Sequence, residues 1–514
     1  MIPRPVVMIG LDAAEASLID QWSASGELPA LAAIRERGVW GTLDGNAHLF
    51  AGGVWPTFYL SRDVPWHGLY HNKLWRPSAM RCEVPADEWF PAPPFWERLD
   101  PVLRVAIVDV PMTVARPKPL NGVHLAGWGT HDVVARGSWP PFLWTELQHE
   151  FGAPAMPAEL FGAQSGATLE RLRSQLLRAT AQFGRLTEKL LKRERWDLFV
   201  ATFGALHRGG HYLWDLSQID GGPLELSAAL RELYTAVDRA LGQLLAAAPS
   251  DARIMVFALH GMGPNTTWAD RCVEILERIQ TGAAHAPRHG LMYRFKRQLP
   301  WPMVRAVTTR LPHSVQGRLV SLWSSRMYDW RVTRAFPLPM DHAGYLRINL
   351  RGREPQGIVT PGEEYRAICD ALAEAFLSFR DLATGKPIVA RVHRLQELAP
   401  QDADYRDQLP DLVLEWADVP VTGSPGVVSP RFGEMRWMPS GRLPSGRAGN
   451  HRSRGWFMAA GEGIEAGSEA PGHHILDLVP TACQWLGADL QHHFAGRPIP
   501  ELIDRPRDTP ATAP

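Results

Sequence analysis

The sequence predicts an α/β fold in which a mostly parallel central sheet is sandwiched between helices. Short runs rich in Val, Ile, Leu and Phe recur along the chain, and they are hydrophobic throughout instead of alternating with polar residues. Continuous hydrophobicity is typical of strands buried on both faces, as in a parallel sheet covered by helices. The runs are residues 5–11, 102–110, 196–204, 252–261 and 455–461.

Two long segments between these runs have the spacing of amphipathic helices. Residues 169–194 and 224–248 carry apolar side chains at intervals of three and four positions. This period places the apolar side chains on one face of a helix. We therefore expect both segments to pack against the sheet as helices.

Residues 270–335 differ from their surroundings. They are basic, bear Trp and Arg, and have little strand character, so they predict a helical insertion over one edge of the sheet. A basic amphipathic segment could contact a membrane surface or cover an anionic substrate, and a solvated helix pair is the alternative. We expect residues 1–500 to form one domain that includes this insertion, and 501–514 to be a disordered tail.

Composition excludes several classes of protein. The 514 residues are 45% hydrophobic, which is enough for a large core, and the formal net charge is zero without a long Lys/Arg block. Nothing in this pattern indicates a nucleic-acid binder. The four cysteines are scattered without CxxC spacing, which fits buried thiols in a reducing compartment, and no run of 18 apolar residues occurs. These features predict a soluble, cytoplasmic protein, and they leave its oligomeric state open.

Asp12 and two histidines follow predicted strands. Asp12 ends the first hydrophobic run, so its carboxylate would project at the carboxyl end of a parallel strand, where open α/β sheets bind ligands. Taken alone, Asp12 could equally cap a helix. His207 and His211 follow the run at 196–204, and a helical turn would place both imidazoles on one face, where they can share a metal.

Two further histidines extend this pattern. His260 lies at the end of the run at 252–261, and His451 lies in a Gly-rich loop before the run at 455–461. Histidines that only pack in a core would rarely gather at strand ends in this way. The convergence of these four histidines with Asp12 therefore predicts a metal site.

Eight motifs in order along the chain carry a family resemblance. They are VVMIGLDAAEASLIDQW with GELPALAAIRERGVWGTL, VWPTFYLSRDVPWHGLYH, VAIVDVPMT, HRGGHYLW, LHGMGPN, YLRINLRGREPQGIV, GNHRSRGWFMAAG and ILDLVPTACQWLGADLQHHFAGRPI. In these motifs the chain resembles the alkaline phosphatase superfamily, in its nucleotide pyrophosphatase/phosphodiesterase branch. More closely, it resembles the bacterial predicted phosphohydrolases or phosphomutases of that branch. The resemblance implies an alkaline phosphatase-like fold over nearly the whole chain.

The resemblance also implies a chemistry and a set of metal ligands. In that family two divalent metals, usually zinc, clamp a phosphoryl group while a Thr or Ser attacks, and the phospho-enzyme is then hydrolysed. By position, the metal ligands that match the family are Asp12, His211, His260 and His451. The substrate would be a small anionic molecule.

The chain departs from the family pattern at three positions. The nucleophilic Thr of the family falls on Ala51, counting back without a gap from His67. Two metal-binding aspartates fall on His207 and Leu259. The departures therefore remove oxygen ligands and keep or add imidazole.

Several residues could compensate for these losses. Thr57 is the nearest hydroxyl and a candidate catalytic nucleophile, with packing in the following helix as the alternative. Asp341 is a candidate additional metal ligand, although Asp-His before a Gly is also ordinary loop chemistry. His342 beside it could help to supply the missing ligand, and His48 is a candidate base.

Sorted by family site, the ligands predict one strong and one weak metal position. The site made of His207, His211 and His451 is all imidazole, which suits Zn²⁺ holding a water whose pKa falls towards neutrality. The other site would have only Asp12 and His260, and two ligands rarely hold zinc. These residues do not exclude other divalent metals.

Three functions remain compatible with these residues. The first is a metal-dependent hydrolase of phosphate esters or diesters, or of related esters, by an atypical mechanism because Ala51 cannot form the phospho-enzyme of the family. The second is a single-metal lyase or transferase in a biosynthetic pathway. The third is a pseudoenzyme that binds a phosphorylated ligand without turnover.

Overall fold

The computed structural model describes most of the chain. The described residues are 4–116, 120–130, 133–160, 162, 164–214, 228–282, 328–340, 342–437, 445–489 and 494–503. The strands in these residues are β1 Val6–Leu11, β2 Val39–Asp44, β3 Leu74–Arg76, β4 Arg81–Glu83, β5 Val105–Val108, β6 Gly122–Ala126, β7 Gly137–Trp139, β8 Leu198–Phe203, β9 Arg253–Ala258, β10 Gly261–Pro264, β11 Ala335–Leu338, β12 Gly344–Ile348, β13 Arg380–Asp381, β14 Val389–Arg394, β15 Leu412–Trp416, β16 Gly426–Ser429, β17 Gly433–Arg436, β18 Gly449–Arg452, β19 Gly455–Ala460 and β20 Ser468–His474.

Helices connect and cover these strands. The α-helices are α1 Ala16–Ala24, α2 Pro29–Arg37, α3 Ala47–Phe50, α4 Val54–Leu60, α5 Val64–His67, α6 Phe142–Phe151, α7 Gly166–Arg193, α8 Ala205–Leu213, α9 Ala229–Ala247, α10 Cys272–Thr281, α11 Glu363–Leu377, α12 Leu395–Leu398 and α13 Leu478–Trp485. Short 3-10 helices span Ala51–Gly53, Pro77–Ala79, Asp87–Trp89, Phe95–Glu97, Ala269–Arg271, Arg406–Gln408, Ile475–Asp477 and Pro500–Leu502.

The central sheet has nine strands in the order β20-β2-β19-β9-β1-β8-β5-β6-β7. β1 lies in the middle and pairs in parallel with β8 and β9. The five hydrophobic runs all form strands of this sheet, as the sequence predicts. One of them, β19, runs antiparallel to both β9 and β2. The sequence could not predict this direction, because continuous hydrophobicity indicates burial on both faces and not the direction of a strand.

Helices cover both faces of the sheet. Alternate side chains of β1 enter two separate cores: Ile9 packs in the core that contains α7 and α9, and Met8 packs in the core that contains α4 and α13. α7 and α9 occupy the segments predicted to be amphipathic helices. The predicted α/β sandwich is therefore confirmed.

A second sheet lies outside the predicted architecture. Strands β11, β12, β15 and β14 form a four-stranded antiparallel sheet, and its two faces pack in two further hydrophobic cores. The sequence pattern did not show it, because its strands are short and the first of them, β11, begins at the last residue of the predicted insertion. This sheet carries the segment around His342 towards the central sheet.

Several sequence predictions fall at the limits of the described chain. The predicted insertion, 270–335, is described only at its ends, where α10 and the start of β11 lie, and 283–327 are outside the described residues. Of the predicted tail, 501–514, residues 504–514 are outside them, whereas Leu502 is buried in the 3-10 helix Pro500–Leu502. Asp341 is outside the described residues as well. Cys82, Cys272, Cys369 and Cys483 are buried free thiols, as expected. Among the helices that the structure describes, none is both long and apolar enough to cross a membrane.

Candidate metal centre

The predicted site residues meet at the carboxyl edge of the central sheet. Asp12 directly follows β1, and His260 follows β9. α8 begins two residues after β8 ends and carries His207 and His211 one helical turn apart. Because β1, β8 and β9 are parallel neighbours, their carboxyl ends lie at one edge, and the four side chains converge there.

His451 reaches the same edge on β18. This strand pairs with β10, with His451 opposite Met262, and the backbone of Ala448 donates to the carbonyl of His211 at 2.7 Å. A Cβ atom at Gly449 would lie only 2.1 Å from the carbonyl oxygen of Gly210. Glycine therefore lets β18 approach α8 closely enough for the rings of His451 and His211 to lie 4.9 Å apart.

Three of these imidazoles form a compact, buried cluster. The candidate ligand atoms of His207, His211 and His451 lie within 4.8 Å of one another. The three residues are 4%, 3% and 8% exposed. Three buried imidazoles this close together form a group that could hold a divalent metal ion.

The hydrogen bonds of His207 and His211 fix which nitrogen of each ring carries the proton. His207 Nδ1 donates to the Oδ2 atom of Asp12 at 2.8 Å, and His211 Nδ1 donates to the carbonyl oxygen of Gly449 at 2.9 Å. In a neutral imidazole the other nitrogen then carries a lone pair. The two Nε2 atoms face each other at 3.0 Å, so two lone pairs meet without a proton between them.

This arrangement fits a bound cation. Two nitrogen ligands of one tetrahedral zinc lie roughly 3.3 Å apart, given zinc–nitrogen bonds of about 2.0–2.1 Å. Burial, and then the neighbouring imidazoles of His260, His207, His211 and His342, hold the pKa of His451 well below its usual value. The His451 ring is therefore neutral near pH 7, as metal coordination requires.

Asp12 and His260 lie beside this cluster. Asp12 Oδ1 accepts a hydrogen bond from Trp55 Nε1 at 3.0 Å and lies 3.6 Å from His260 Nε2. Asp12, His207 and His260 also form a group whose candidate ligand atoms lie within 4.8 Å, but it shares His207 with the first group. Leu259, at the position of a family carboxylate, is 1% exposed and packs in the core.

A cavity of about 260 Å³ opens onto the three-histidine cluster. Ala51 lines it, as does His342, and Lys73 and Arg447 add positive charge. Arg447 is paired with Glu159, another lining residue, at 3.1 Å. Among the described residues that line the cavity, none is Ser, Thr, Tyr or Cys. Ala51, where the family resemblance predicts the nucleophile, therefore lines the same cavity as the three histidines, but with a methyl group.

Thr57 does not join the cluster. Its side chain is fully buried, and its Oγ1 lies 3.1 Å from His67 Nε2. His67 Nδ1 accepts a hydrogen bond from the backbone of Leu69 at 3.1 Å, so Nε2 of the neutral ring is a donor to Thr57 and cannot take its proton. The arrangement therefore gives Thr57 neither access to the cavity nor a base, contrary to the sequence-based expectation of a nucleophile.

His342 lies beside the cluster, whereas Asp341 lies outside the described residues. The His342 ring is 5.7 Å from that of His451, and its Nδ1 is buried with no hydrogen-bond partner among the described residues. Burial lowers the pKa of His342 to about 4. His48 is half-buried near His393, its ring centroid 6.4 Å away.

Sequence reasoning missed Lys73 and Arg447. Both lie in irregular segments, and an isolated basic residue in a loop gives no periodic or spacing signal. Only the fold shows that they share a cavity with the histidines. The indole of Trp55, which donates to Asp12, gives no such signal either.

Comparison with known proteins gives a family match and several fold-level similarities. The profile of the type I phosphodiesterase / nucleotide pyrophosphatase family matches residues 6–420. No curated protein sequence matches the chain. Among solved structures, phosphonoacetate hydrolase from Sinorhizobium meliloti 1021, in complex with phosphonoformate or phosphonoacetate, has 16% identity and a TM-score of 0.49, with 95% of this chain and 96% of that chain covered. Human ectonucleotide pyrophosphatase/phosphodiesterase 5 has 11% identity and a TM-score of 0.46, covering 94% and 95%.

Proposed function

The chain belongs to the type I phosphodiesterase / nucleotide pyrophosphatase family, and from that premise we propose that it is a metal-dependent hydrolase of phosphate esters or related esters in which water attacks directly. The proposal depends on one observation: Ala51 lines the same cavity as His207, His211 and His451. A methyl group there cannot form a covalent phospho-enzyme. The proposed mechanism therefore keeps the family's metal chemistry and omits its covalent step.

The three-histidine cluster is the proposed metal centre, with Zn²⁺ as the proposed ion. His207 and His211 present their Nε2 lone pairs to it, and His451 completes the imidazole set. A divalent metal held by these three residues would neutralise charge on the substrate and would lower the pKa of water bound to it. The ligand set is neutral, so the charge of the metal stays available to an anion.

Lys73 and Arg447 are the proposed anchors for the anionic substrate. Both line the cavity beside the histidines. Glu159 pairs with Arg447 at 3.1 Å and with Arg208 at 3.2 Å, which holds the Arg447 guanidinium in place before a substrate arrives. The positively charged lining raises the local concentration of small anions.

His342 is the proposed group that orients the attacking water. Its ring lines the cavity and is neutral at neutral pH because burial lowers its pKa. Its Nδ1 is covered in this structure and has no hydrogen-bond partner among the described residues, so it would meet the water after a turn of the ring. A neutral imidazole nitrogen can accept a hydrogen bond from water and so fix its direction of approach. No described side chain of the cavity supplies an alternative hydroxyl.

Two experiments test the proposal. The zinc-loaded protein is screened with phosphomonoesters, phosphodiesters and sulfate esters, beside His211→Ala and, as a matched control, exposed His149→Ala. We expect turnover of a phosphate ester by the wild type and the control, and its loss in His211→Ala. Zinc binding without turnover of any of these esters would contradict the proposal and indicate the lyase, transferase or pseudoenzyme alternatives.

The stereochemical course at phosphorus tests the nucleophile. On a phosphorothioate diester chiral at phosphorus, one direct attack by water inverts the configuration, whereas two successive displacements through an enzyme hydroxyl retain it. We expect inversion. Retention would show that a side chain attacks, and the proposed omission of the covalent step would be wrong.

A further inference from the structure

The contacts on the two sides of the His207 ring differ in kind. On the Nε2 side the ring faces His211 Nε2 at 3.0 Å, an acceptor against an acceptor. On the Nδ1 side it faces Asp12 Oδ2 at 2.8 Å, a donor against a carboxylate. Between neutral rings the first contact is repulsive unless a cation lies between the two atoms, and the second is a complete hydrogen bond without one.

The second oxygen of Asp12 is also engaged by a donor. Asp12 Oδ1 accepts from Trp55 Nε1 at 3.0 Å. Trp55 is 3% exposed, and its ring packs against Phe58 and Phe257. A Cβ atom at Gly10 would lie 2.7 Å from the Trp55 ring, so the indole is wedged against β1. The donor to Asp12 is thereby fixed in position.

The remaining residues around Asp12 make a poor second metal position. The family carboxylate is replaced by buried Leu259, and the nucleophile oxygen by Ala51. His260 Nε2 lies 3.6 Å from Asp12 Oδ1, while its Nδ1 lies 3.2 Å from the carbonyl oxygen of Gly261. A metal there would have to share His207 with the first centre and displace the hydrogen bond that orients it.

We infer that Asp12 is a positioning residue and not a metal ligand in this protein. This inference rests on the metal centre of the proposed function. The carboxylate holds His207 in the tautomer whose Nε2 faces His211 and His451, and Trp55 holds the carboxylate. A carboxylate behind a ligating histidine orients the ring and raises its basicity. If Asp12 is not a ligand, each chain binds one metal ion, whereas members of the family bind two.

Asp12→Asn tests the inference, because an amide cannot satisfy both neighbours. If its oxygen accepts from His207, its NH₂ group faces the Trp55 N–H, donor against donor. We expect zinc affinity, measured by competition with a chelator, to fall about 10- to 100-fold. Stoichiometry should stay at one metal per chain, and the visible spectrum of the Co²⁺ form should be unchanged, because the ligand set is unchanged.

The double variant Asp12→Asn with Trp55→Phe provides the rescue. Without the indole N–H the amide can turn its oxygen to His207 without conflict, so zinc affinity should recover relative to Asp12→Asn alone. Trp55→Phe alone is the matched control and should keep one metal with the wild-type Co²⁺ spectrum. Thermal unfolding of every variant separates a loss of metal from a loss of fold.

Three results would overturn the inference: a Co²⁺ spectrum or metal count altered by Asp12→Asn, no recovery in the double variant, or an Asp12 oxygen at bonding distance from zinc in a crystal structure of the zinc-loaded wild type. The last measurement needs no variant. A wild type that holds no metal, or a His211→Ala variant with undiminished affinity, would instead contradict the proposed metal centre itself.

Discussion

The Nε2 atoms of His207 and His211 face each other at 3.0 Å, and the Nδ1 atom of each ring already donates a hydrogen bond elsewhere. Two neutral imidazoles cannot hydrogen-bond through two lone pairs. Between neutral rings this contact is repulsive at the buried carboxyl edge of the sheet, and a divalent cation bound there would relieve the repulsion. The one-turn spacing on α8 and the close approach of β18 at Gly449 impose this geometry.

Metal removal should destabilise the protein as well as inactivate it. We expect the chelated protein to lose turnover and to unfold at a lower temperature, because the facing lone pairs lose their shared partner. Free zinc at 100 times its dissociation constant stabilises by about 2.7 kcal/mol. Differential scanning calorimetry with and without zinc checks this, with His149→Ala expected to respond as the wild type does. An unfolding temperature indifferent to zinc would contradict the expectation.

Restoring a hydroxyl at the nucleophile position should not restore the family mechanism. Thr and Val are nearly isosteric, so Ala51→Thr and Ala51→Val fill the cavity equally and differ only in the hydroxyl. We expect their turnover numbers to agree within about threefold, and neither variant to trap phosphate, because Leu259 removes a carboxylate that activation of the hydroxyl needs. A more active Thr variant that carries covalent phosphate would contradict direct attack by water.

Thr57 should matter for stability and not for turnover. Thr57→Val removes the acceptor of the buried His67 Nε2–H while keeping the shape of the side chain, which costs about 1–3 kcal/mol. Denaturant unfolding measures that loss, and Thr57→Ser, which keeps the hydroxyl, should lose less. A large fall in the turnover of Thr57→Val, with its zinc content unchanged, would show that Thr57 takes part in the reaction.

His342 should affect the reaction without affecting metal binding. We expect His342→Ala to lower kcat roughly 10- to 100-fold at an unchanged zinc content, because the water loses the acceptor that orients it. His342→Gln, whose amide oxygen can accept the same hydrogen bond, should recover part of the rate. Loss of zinc in His342→Ala would show that His342 is a metal ligand instead. An unchanged kcat would show that His342 has no part in the mechanism.

The second sheet is held by a buried charge that should make stability depend on pH. Asp411 accepts hydrogen bonds from Arg353 at 2.7 and 2.8 Å, from Tyr365 at 2.8 Å and from the backbone of Ile348 at 2.6 Å. Burial alone would raise the pKa of Asp411, but the guanidinium groups of Arg353 and Arg347 hold it below its usual value. Asp411→Asn should destabilise by about 3–5 kcal/mol near neutral pH.

The sign of the pH effect follows from the lowered pKa. The charge of Asp411 contributes its stability above the unfolded-state pKa of about 3.9, and the contribution is lost as the pH falls through the lower folded-state pKa. The difference between wild type and Asp411→Asn should therefore narrow in acid. Exposed Asp418→Asn is the control and should change stability little at any pH. A difference independent of pH would show that shape, not charge, matters at Asp411.

Much of this architecture could be predicted because it depends on local patterns. The buried strands on either side of β1 are continuous hydrophobic runs, and the spacing of His207 and His211 on a helix after such a strand places two imidazoles on one face. The gathering of Asp12 and His260 at the same edge follows from the parallel arrangement. The first inference needs no contact between distant segments, and the second needs only that β1 and β9 run parallel in one sheet.

The remainder depends on contacts that no local pattern records. The direction of β19, the antiparallel sheet around β12 and the convergence of Lys73 and Arg447 on one cavity are set by tertiary packing. Thr57 lies only six residues after the nucleophile position, yet its place within α4 turns its side chain to His67. The different roles of His207 Nδ1, which faces Asp12, and His207 Nε2, which faces His211, can be assigned only from the structure.

Titration of metal-free protein with zinc, while the rate of phosphate-ester hydrolysis is followed, tests the central claim most directly. A single three-imidazole centre predicts that activity rises linearly and reaches its plateau at one zinc per chain, with His211→Ala inactive throughout. A plateau that requires two zinc ions per chain, or full activity before any zinc is added, would contradict the account.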